Sequence, residues 1–382
     1  MQSDLAGIQL ERVPLQEGQP LRAWDAADEY VLDELSSLPD GNSIALVNDS
    51  FGALSTHLRS HDPFVFNESA AGREAIAGNL VRNELAPIDV LSMLDLVGSD
   101  LPEFDHVVIK VPKSAGQLVD LLYRLRPHLS ADTRVVGAAM AKHIHTSTLE
   151  HFEEIIGPTT TSLARKKARL IHATIDPDLD RSIGKNPWPK KWKANGVELT
   201  NHGGGFSPDQ LDRGTRRLLD AVGSFDRFID SGASSVRVVD LGCGNGILGL
   251  VAARDLTGAG HEVAVEAIDD SALAIDAARH GWEGSGLDAD VQFHHHHRMV
   301  EVLDANSADL IIVNPPFHDD RHVGDHVAWS MFVDSHKVLR RGGSLVVVGN
   351  RHLAYHAKLM KIFGNVEELA ADKRFVVQRT VR

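Results

Sequence analysis

Three observations predict an α/β protein built from two tandem, doubly wound domains, the first of them degenerate. A chain of 382 residues, 43% hydrophobic and 24% charged, is long enough to bury two cores of ordinary size. Through the second half, short uninterrupted apolar runs alternate with helical stretches, the pattern of a parallel sheet covered on both faces. The two halves also repeat one another in order.

The second half supplies the elements. Val236 to Leu241 is a continuous apolar strand, followed by a glycine-rich turn and a helical run over 247–255. Val263 to Ile268 is the next strand and ends at Asp269-Asp270; Ser271 is placed to cap a helix over 272–280. Further strands are expected at 291–295, 310–313 and 344–348, with helices near 325–340 and 353–363. The runs 366–371 and 374–381 are close enough in sequence for an antiparallel hairpin at one sheet edge. Ligands of such a fold sit at the carboxyl ends of its parallel strands.

The repeat is read from short matches. Val135-Val136-Gly137 leads to Ile155-Ile156-Gly157, and Val347-Val348-Gly349 leads to Ile362-Phe363-Gly364. Beyond those glycines Lys167 aligns with Lys373 and Thr174 with Thr380; upstream, Trp24-Asp25 aligns with Leu211-Asp212. The strand Val107-Val108-Ile109 before Lys110 parallels Ile311-Ile312-Val313 before Asn314. A duplication follows, with expected boundaries of 1–180 for the first domain, 181–195 for a basic linker and 196–382 for the second domain.

Composition excludes several classes. One cysteine rules out a disulfide scaffold and a cysteine-built zinc site, and fits a reducing, cytoplasmic setting. No apolar run approaches the ~18 residues of a membrane span, and the first residues lack a signal-peptide pattern. A net charge of −14 argues against indiscriminate binding of nucleic acid. Between Thr161 and Asn195, however, nine basic residues face three aspartates, about +6 inside an acidic chain. Arg165, Lys166, Lys167, Lys190, Lys191 and Lys193 are therefore candidate phosphate contacts, with Trp188 and Trp192 as stacking surfaces. The plain alternative is a solvated linker whose tryptophans are pinned to the neighbouring domains.

Two motifs carry chemistry. In Asp240-Leu241-Gly242-Cys243-Gly244-Asn245-Gly246, the glycines permit a tight turn and close approach of a ligand to backbone N–H groups. Gly244, Gly246 and Gly249 also satisfy G-x-G-x-x-G, so a nicotinamide-dependent oxidoreductase competes at this point. Asp269, 27 residues after Gly242, suits two ribose hydroxyls in either case. Asp240 is placed for the ammonium of an amino acid and favours S-adenosylmethionine.

The second motif, Asn314-Pro315-Pro316-Phe317, follows the strand 310–313 directly and decides between them. An exocyclic amine on a base is a poor nucleophile because its lone pair is delocalised. The Asn314 side-chain oxygen and the Pro315 carbonyl can accept its N–H groups and stabilise the charge that develops. Consecutive prolines stiffen the turn, and Phe317 can stack on the base. No strong general base is needed, since the methylated ammonium is far more acidic than the amine.

Along nearly its whole length the sequence resembles the bacterial large-subunit ribosomal RNA guanine-N2 methyltransferases (RlmG), whose small-subunit relatives (RsmC) share the duplicated architecture. The residues that carry the resemblance are 23–30, Ile144 to Glu150, Gly157 to Thr161, Asp240 to Gly246, Asn314 to His318, Ala328-Trp329 and Asn350 to Leu353. It implies two class I methyltransferase domains: a catalytic second one, and a degenerate first one that helps to hold RNA. It further implies that Phe206-Ser207 and Asp212-x-Gly214-Thr215 line the donor pocket, and that His297 stands where such enzymes often carry Asp or Asn beside the adenine. The expected reaction is methylation of guanine N2 in large-subunit (23S) RNA. The alternatives are small-subunit (16S) RNA, DNA, a glutamine amide or, in another class, an NAD-dependent oxidoreductase. No metal, membrane or obligate protein partner is expected.

The residues support a degenerate first half independently. Leu46, Asn48 and Ser50 stand where the second half has Asp240, Gly242 and Gly244, and Lys110 and Lys113 replace Asn314 and Phe317. Both lysines are candidate phosphate contacts, with solvated surface as the alternative. The run His294 to His297 is not read as a metal site, because strand alternation sends successive rings to opposite faces. Cys243 lacks an activating partner and is not read as a nucleophile.

Overall fold

The computed structural model describes residues 7–14, 22–98, 100–180, 182–205, 210–316 and 321–382, with backbone alone at 183 and 321–325. They fall into two compact units, Met1–Pro189 with His202–Gly204, and Lys190–Asn201 with Gly205–Arg382.

The first unit runs α1 (Ala26–Glu34), β1 (Ile44–Val47), α2 (Ala53–His57), β2 (Phe64–Phe66), α3 (Ala70–Arg82), β3 (Val90–Leu91), β4 (Phe104–Lys110), α4 (Ala115–Leu125), β5 (Leu129–Met140), α5 (Thr146–Ile155), β6 (Thr159–Thr161) and β7 (Ala168–Ala173). Its seven strands lie in the order β3-β2-β1-β4-β5-β7-β6, with β7 antiparallel to both neighbours.

The second unit opens with a hairpin, β8 (Lys190–Ala194) and β9 (Val197–Asn201). It continues through α6 (Arg213–Val222), β10 (Ser235–Leu241), α7 (Ile247–Gly258), β11 (Glu262–Asp269), α8 (Ala272–Glu283), β12 (Asp290–His295), β13 (Ala308–Val313), α9 (Arg321–Val338), β14 (Leu339–Asn350), α10 (Tyr355–Phe363), β15 (Glu367–Ala371) and β16 (Phe375–Val381). The strand order, β12-β11-β10-β13-β14-β16-β15, repeats that of the first unit place for place.

Alternation along the central strands explains the double winding. Val238, Leu310, Ile312, Val346 and Val348 pack with residues of α6 and α7, such as Leu218 and Leu250. Their neighbours Val239, Ile311, Val313, Leu345 and Val347 point to the other face and pack with Phe332 of α9 and Leu359 of α10. Such a strand cannot shift by one residue without turning both cores inside out.

Two expectations are corrected here. The helix expected over 325–340 stops at Val338, because Leu339 already pairs with Ala308 and opens β14. Of the stretch expected as a linker, Lys190–Ala194 forms β8 instead, which is laddered to β9, and Val197 and Leu199 of β9 are in the core of the second unit. Neither tryptophan is a free stacking surface. Trp188 is buried in the first unit and Trp192 packs on the core of the second.

Candidate active site

The carboxyl ends of β10, β11 and β13 bring the motif residues of the second unit together. The turn after β10 is pinned at its start, where the N–H groups of Gly242 and Cys243 both donate to the Ile268 carbonyl, at 2.8 and 3.0 Å. The next N–H, of Gly244, donates to Asp269 Oδ2 at 2.9 Å, and Ser271 N–H donates to Oδ1 at 2.8 Å. Gly244 has φ +55°, and a Cβ added there would meet nothing within 4 Å. The glycine is thus set by backbone conformation and by room for a ligand, not by crowding from protein.

Asp240 is 1% exposed. Its Oδ2 accepts the Gly249 N–H at 2.8 Å, while Oδ1 is buried without a partner. Burial pushes its carboxyl up to about 7; the Gly249 N–H pulls it back and the nearby Asp269 adds to the rise. Burial likewise pushes Asp269 up to about 6, against the pull of the Ser271 and Gly244 N–H groups. An orphaned carboxylate oxygen, a second carboxylate and open space at Gly244 fit a cationic ligand that also bears hydroxyls. Cys243 is buried, and desolvation followed by the two aspartates raises its thiol well above the ordinary range, so it stays protonated.

Asn314 follows β13. Its Nδ2 donates to Asp212 Oδ2 at 3.0 Å and to Thr215 Oγ1 at 2.9 Å, and its Oδ1 is buried with no partner. Asp212 is the N-cap of α6, where the same Oδ2 accepts the Thr215 N–H at 2.8 Å. The resemblance sets Thr215 in a donor pocket; the structure gives its hydroxyl to Asn314. A buried acceptor left unpaired costs about 1–3 kcal/mol, which the N–H of a ligand seated against it would offset. Pro315 is buried beside it, whereas Phe206 and Phe317 lie outside the described residues, as does His318.

The other sequence candidates are dispersed. His297 lies past β12 and stacks on His296, with ring centroids 5.3 Å apart. His294 bonds Glu266 and His295 bonds the Asp270 carbonyl, as alternation requires. Among the described residues no group of three His, Cys, Asp or Glu is arranged for a metal ion.

Lys110 is the clearest correction. It is no solvated lysine: 14% of its side chain is exposed, and its Nζ donates to Asp25 Oδ1 at 2.9 Å and Asp28 Oδ1 at 2.5 Å. Its charge is neutralised inside the first unit, because a buried ammonium is stable only when paired. Arg165 and Lys166 are ion-paired to Asp33 and Glu29. Lys113 and Lys167 are exposed, and Lys191 and Lys193 share the exposed face of β8, with Lys193 3.9 Å from Glu198. Sequence reasoning did not find the tie from Asn245 Nδ2 to Asn201 Oδ1, at 2.9 Å, which fastens the glycine turn to β9.

Residues 1–177 match the RLMG N-terminal domain, and residues 196–379 match the Methyltransferase small domain. The chain is 42% identical to ribosomal RNA large subunit methyltransferase G of Streptomyces avermitilis, over 98% of this chain and 96% of that one. It is 40% identical to the protein of the same name from Aeromonas hydrophila, over 98% and 97%.

The chain belongs to the ribosomal RNA large subunit methyltransferase G family.

Its second unit is therefore a methyltransferase domain. Among solved structures, a T. thermophilus 16S rRNA N2-guanine methyltransferase (RsmC), in complex with AdoMet and guanosine, has the same two-unit fold. Its TM-score is 0.72 at 21% identity, covering 94% of this chain and 92% of that one.

Proposed function

We propose that this protein methylates the exocyclic N2 amine of a guanine in large-subunit ribosomal RNA, with S-adenosylmethionine as donor. One observation carries the reading: the buried, unpartnered Oδ1 of Asn314, at the end of β13. Relatives that are named for the large-subunit RNA and align over nearly the whole chain support the choice of substrate.

The cradle of Asp240, Gly242, Gly244, Gly246 and Asp269 would hold the donor, Asp240 through its ammonium and Asp269 through its ribose. When bound, the donor supplies a methyl group on a positively charged sulfur. Asn314 Oδ1 accepts one N–H of the guanine amine and the Pro315 carbonyl accepts the other, so both bonds strengthen as the nitrogen turns cationic and its N–H groups become better donors. Phe317 is expected to stack on the base. The acceptor oxygen is already shielded from water, so it does not reorganise as charge develops. His297 is proposed beside the donor's adenine.

The first unit is proposed to hold RNA, with Lys113 and Lys167 as its best candidates. Lys190, Lys191 and Lys193 of the second unit's hairpin are further candidates, and the work belongs in the cytoplasm where ribosomes are made.

Asn314→Ala tests the reading. Donor affinity should stay near wild type, while single-turnover transfer to ribosomal RNA falls about 10²–10³-fold. Mapping the N2-methylated guanine in RNA from a deletion strain identifies the substrate. Wild-type transfer by Asn314→Ala would sink the mechanism, and an unmodified site shared by deletion and parent strains would sink the substrate.

A further inference from the structure

We infer that Asp212 and Thr215 are positioning residues for the methyl transfer, setting which end of the Asn314 amide meets the reacting amine. The inference rests on the amine-acceptor reading of Asn314. A side-chain amide is nearly symmetric in shape, so nothing in the packing of Asn314 alone tells oxygen from nitrogen. If it turned over, it would present two N–H donors to an amine that itself needs acceptors, and the site would repel its substrate.

The neighbours forbid that flip. Asp212 is a carboxylate and can only accept, so the group facing its Oδ2 at 3.0 Å has to be the Nδ2 donor. Thr215 Oγ1, at 2.9 Å from the same nitrogen, takes its second N–H. Both donors are then consumed, and Oδ1 is left over, buried and unpaired. The carboxylate also polarises the amide, drawing positive charge to the nitrogen and leaving Oδ1 more negative.

The clamp is built into the start of a helix. Asp212 caps α6 and Thr215 is three residues on, and the Asp212 Oδ2 that holds Asn314 also holds the Thr215 N–H at 2.8 Å. Gly214, between them, keeps the space clear. A Cβ added there would lie 2.9 Å from Asp212 Oδ2 and 3.3 Å from Asn314 Oδ1.

The test uses the full-length protein and single-turnover transfer, with donor binding measured in parallel. Asp212→Ser keeps the helix cap, since serine caps as well as aspartate. It removes the carboxylate, and a hydroxyl that can donate as well as accept does not tell the two ends of the Asn314 amide apart, so transfer should slow about 10–100-fold with donor affinity unchanged. Thr215→Val should slow transfer less, and Thr215→Ser should restore it. A purely structural role predicts neither the serine rescue nor the result in a second background. Added to Asn314→Ala, Asp212→Ser should bring no further loss, because it acts only through that amide. A wild-type rate for Asp212→Ser, or an equal loss in both backgrounds, would overturn the inference. Should Asn314→Ala itself transfer normally, the amine-acceptor reading would fall first, a distinguishable outcome.

Discussion

At the end of β13 an amide is gripped by the aspartate that caps α6 and by the threonine three residues on. At the end of β4 an ammonium is gripped by the aspartate that caps α1 and by a second aspartate three residues on. The strand ladders make the two places equivalent: Val47 pairs with Ile109 just before Lys110, as Leu241 pairs with Val313 just before Asn314. The same cap-and-grip device therefore serves opposite ends. In the second unit its donors are used up on one side of an amide and an acceptor is left over. In the first unit a cation that faces two carboxylates stands in the place of that acceptor. Other changes agree. Leu46 stands at the ladder position of Asp240, and Asp49 turns its carboxylate onto the Ser55 N–H and hydroxyl, each at 2.7 Å. The first unit has thus converted binding groups into internal bonds while keeping its sheet.

If the first unit's triad is structural, Lys110→Ala should have the largest effect of any single change at the two strand ends. Burial pushes Asp28 up to about 6 even with Lys110 present to lower it, and removing the ammonium leaves a buried charge uncompensated. The expected loss is about 3–5 kcal/mol in the unfolding transition of that unit, measured by urea denaturation. Since the Asp28 pKa is raised in the folded state, and further still without Lys110 to lower it, its charged form opposes folding, and the variant should recover stability as pH falls toward the ordinary carboxylate range. A loss below about 1 kcal/mol would mean that Lys110 is solvated, and would return it to the pool of phosphate contacts.

Building the first unit's device into the second comes next in size. Asn314→Lys should pair with Asp212 and remove the acceptor at once, slowing methyl transfer by at least about 10²–10³, or roughly 2.7–4 kcal/mol. The fold should survive, because the first unit already accommodates a lysine at this ladder position. Substantial transfer by the variant would show that the two ends are not equivalent after all.

Much of this was legible in the sequence and some was not, for physical reasons. The second unit's strands, its sheet-edge hairpin of β15 and β16 and the repeat are visible because buried parallel strands are short, apolar and evenly spaced. Asp240, Asp269 and Asn314 are visible because each polar group ends an apolar run. The fate of Lys110 is hidden because its partners, Asp25 and Asp28, are 85 and 82 residues away in sequence. A lysine at a strand end reads as a phosphate contact until the helix that neutralises it is in place. The role of Asp212 is hidden for the same reason. As a cap three residues before Thr215 it announces a helix start, while its second bond crosses 102 residues to Asn314. Lys190–Ala194 reads as linker rather than strand because its exposed lysines outweigh Trp192 and Ala194, the alternate residues that pack inward.

The smallest effect separates the two units at their glycine turns, and it is read in protons. Asp240 has no acidic counterpart in the first unit, where Leu46 stands. Its folded pKa of about 7 is raised above the ordinary 3.8 mainly by burial, then by Asp269, with the Gly249 N–H opposing. Between those two values the folded protein holds a proton that the unfolded chain releases, so this group's contribution to stability falls as pH rises through the window. A cationic donor reverses the balance, because the unpartnered Oδ1 can pair with the donor's ammonium only when the carboxylate is ionised. Donor affinity should then be flat above about 7 and weaken below it, by at most tenfold, or about 1.4 kcal/mol, per pH unit. Calorimetry of donor binding at pH 6.5 in two buffers of different ionisation enthalpy should show proton release, and Asp240→Asn should remove most of it. Binding with no proton exchanged, or release unchanged in Asp240→Asn, would take Asp240 out of the donor site. The distinction between the units would then rest on Asn314 and its clamp alone.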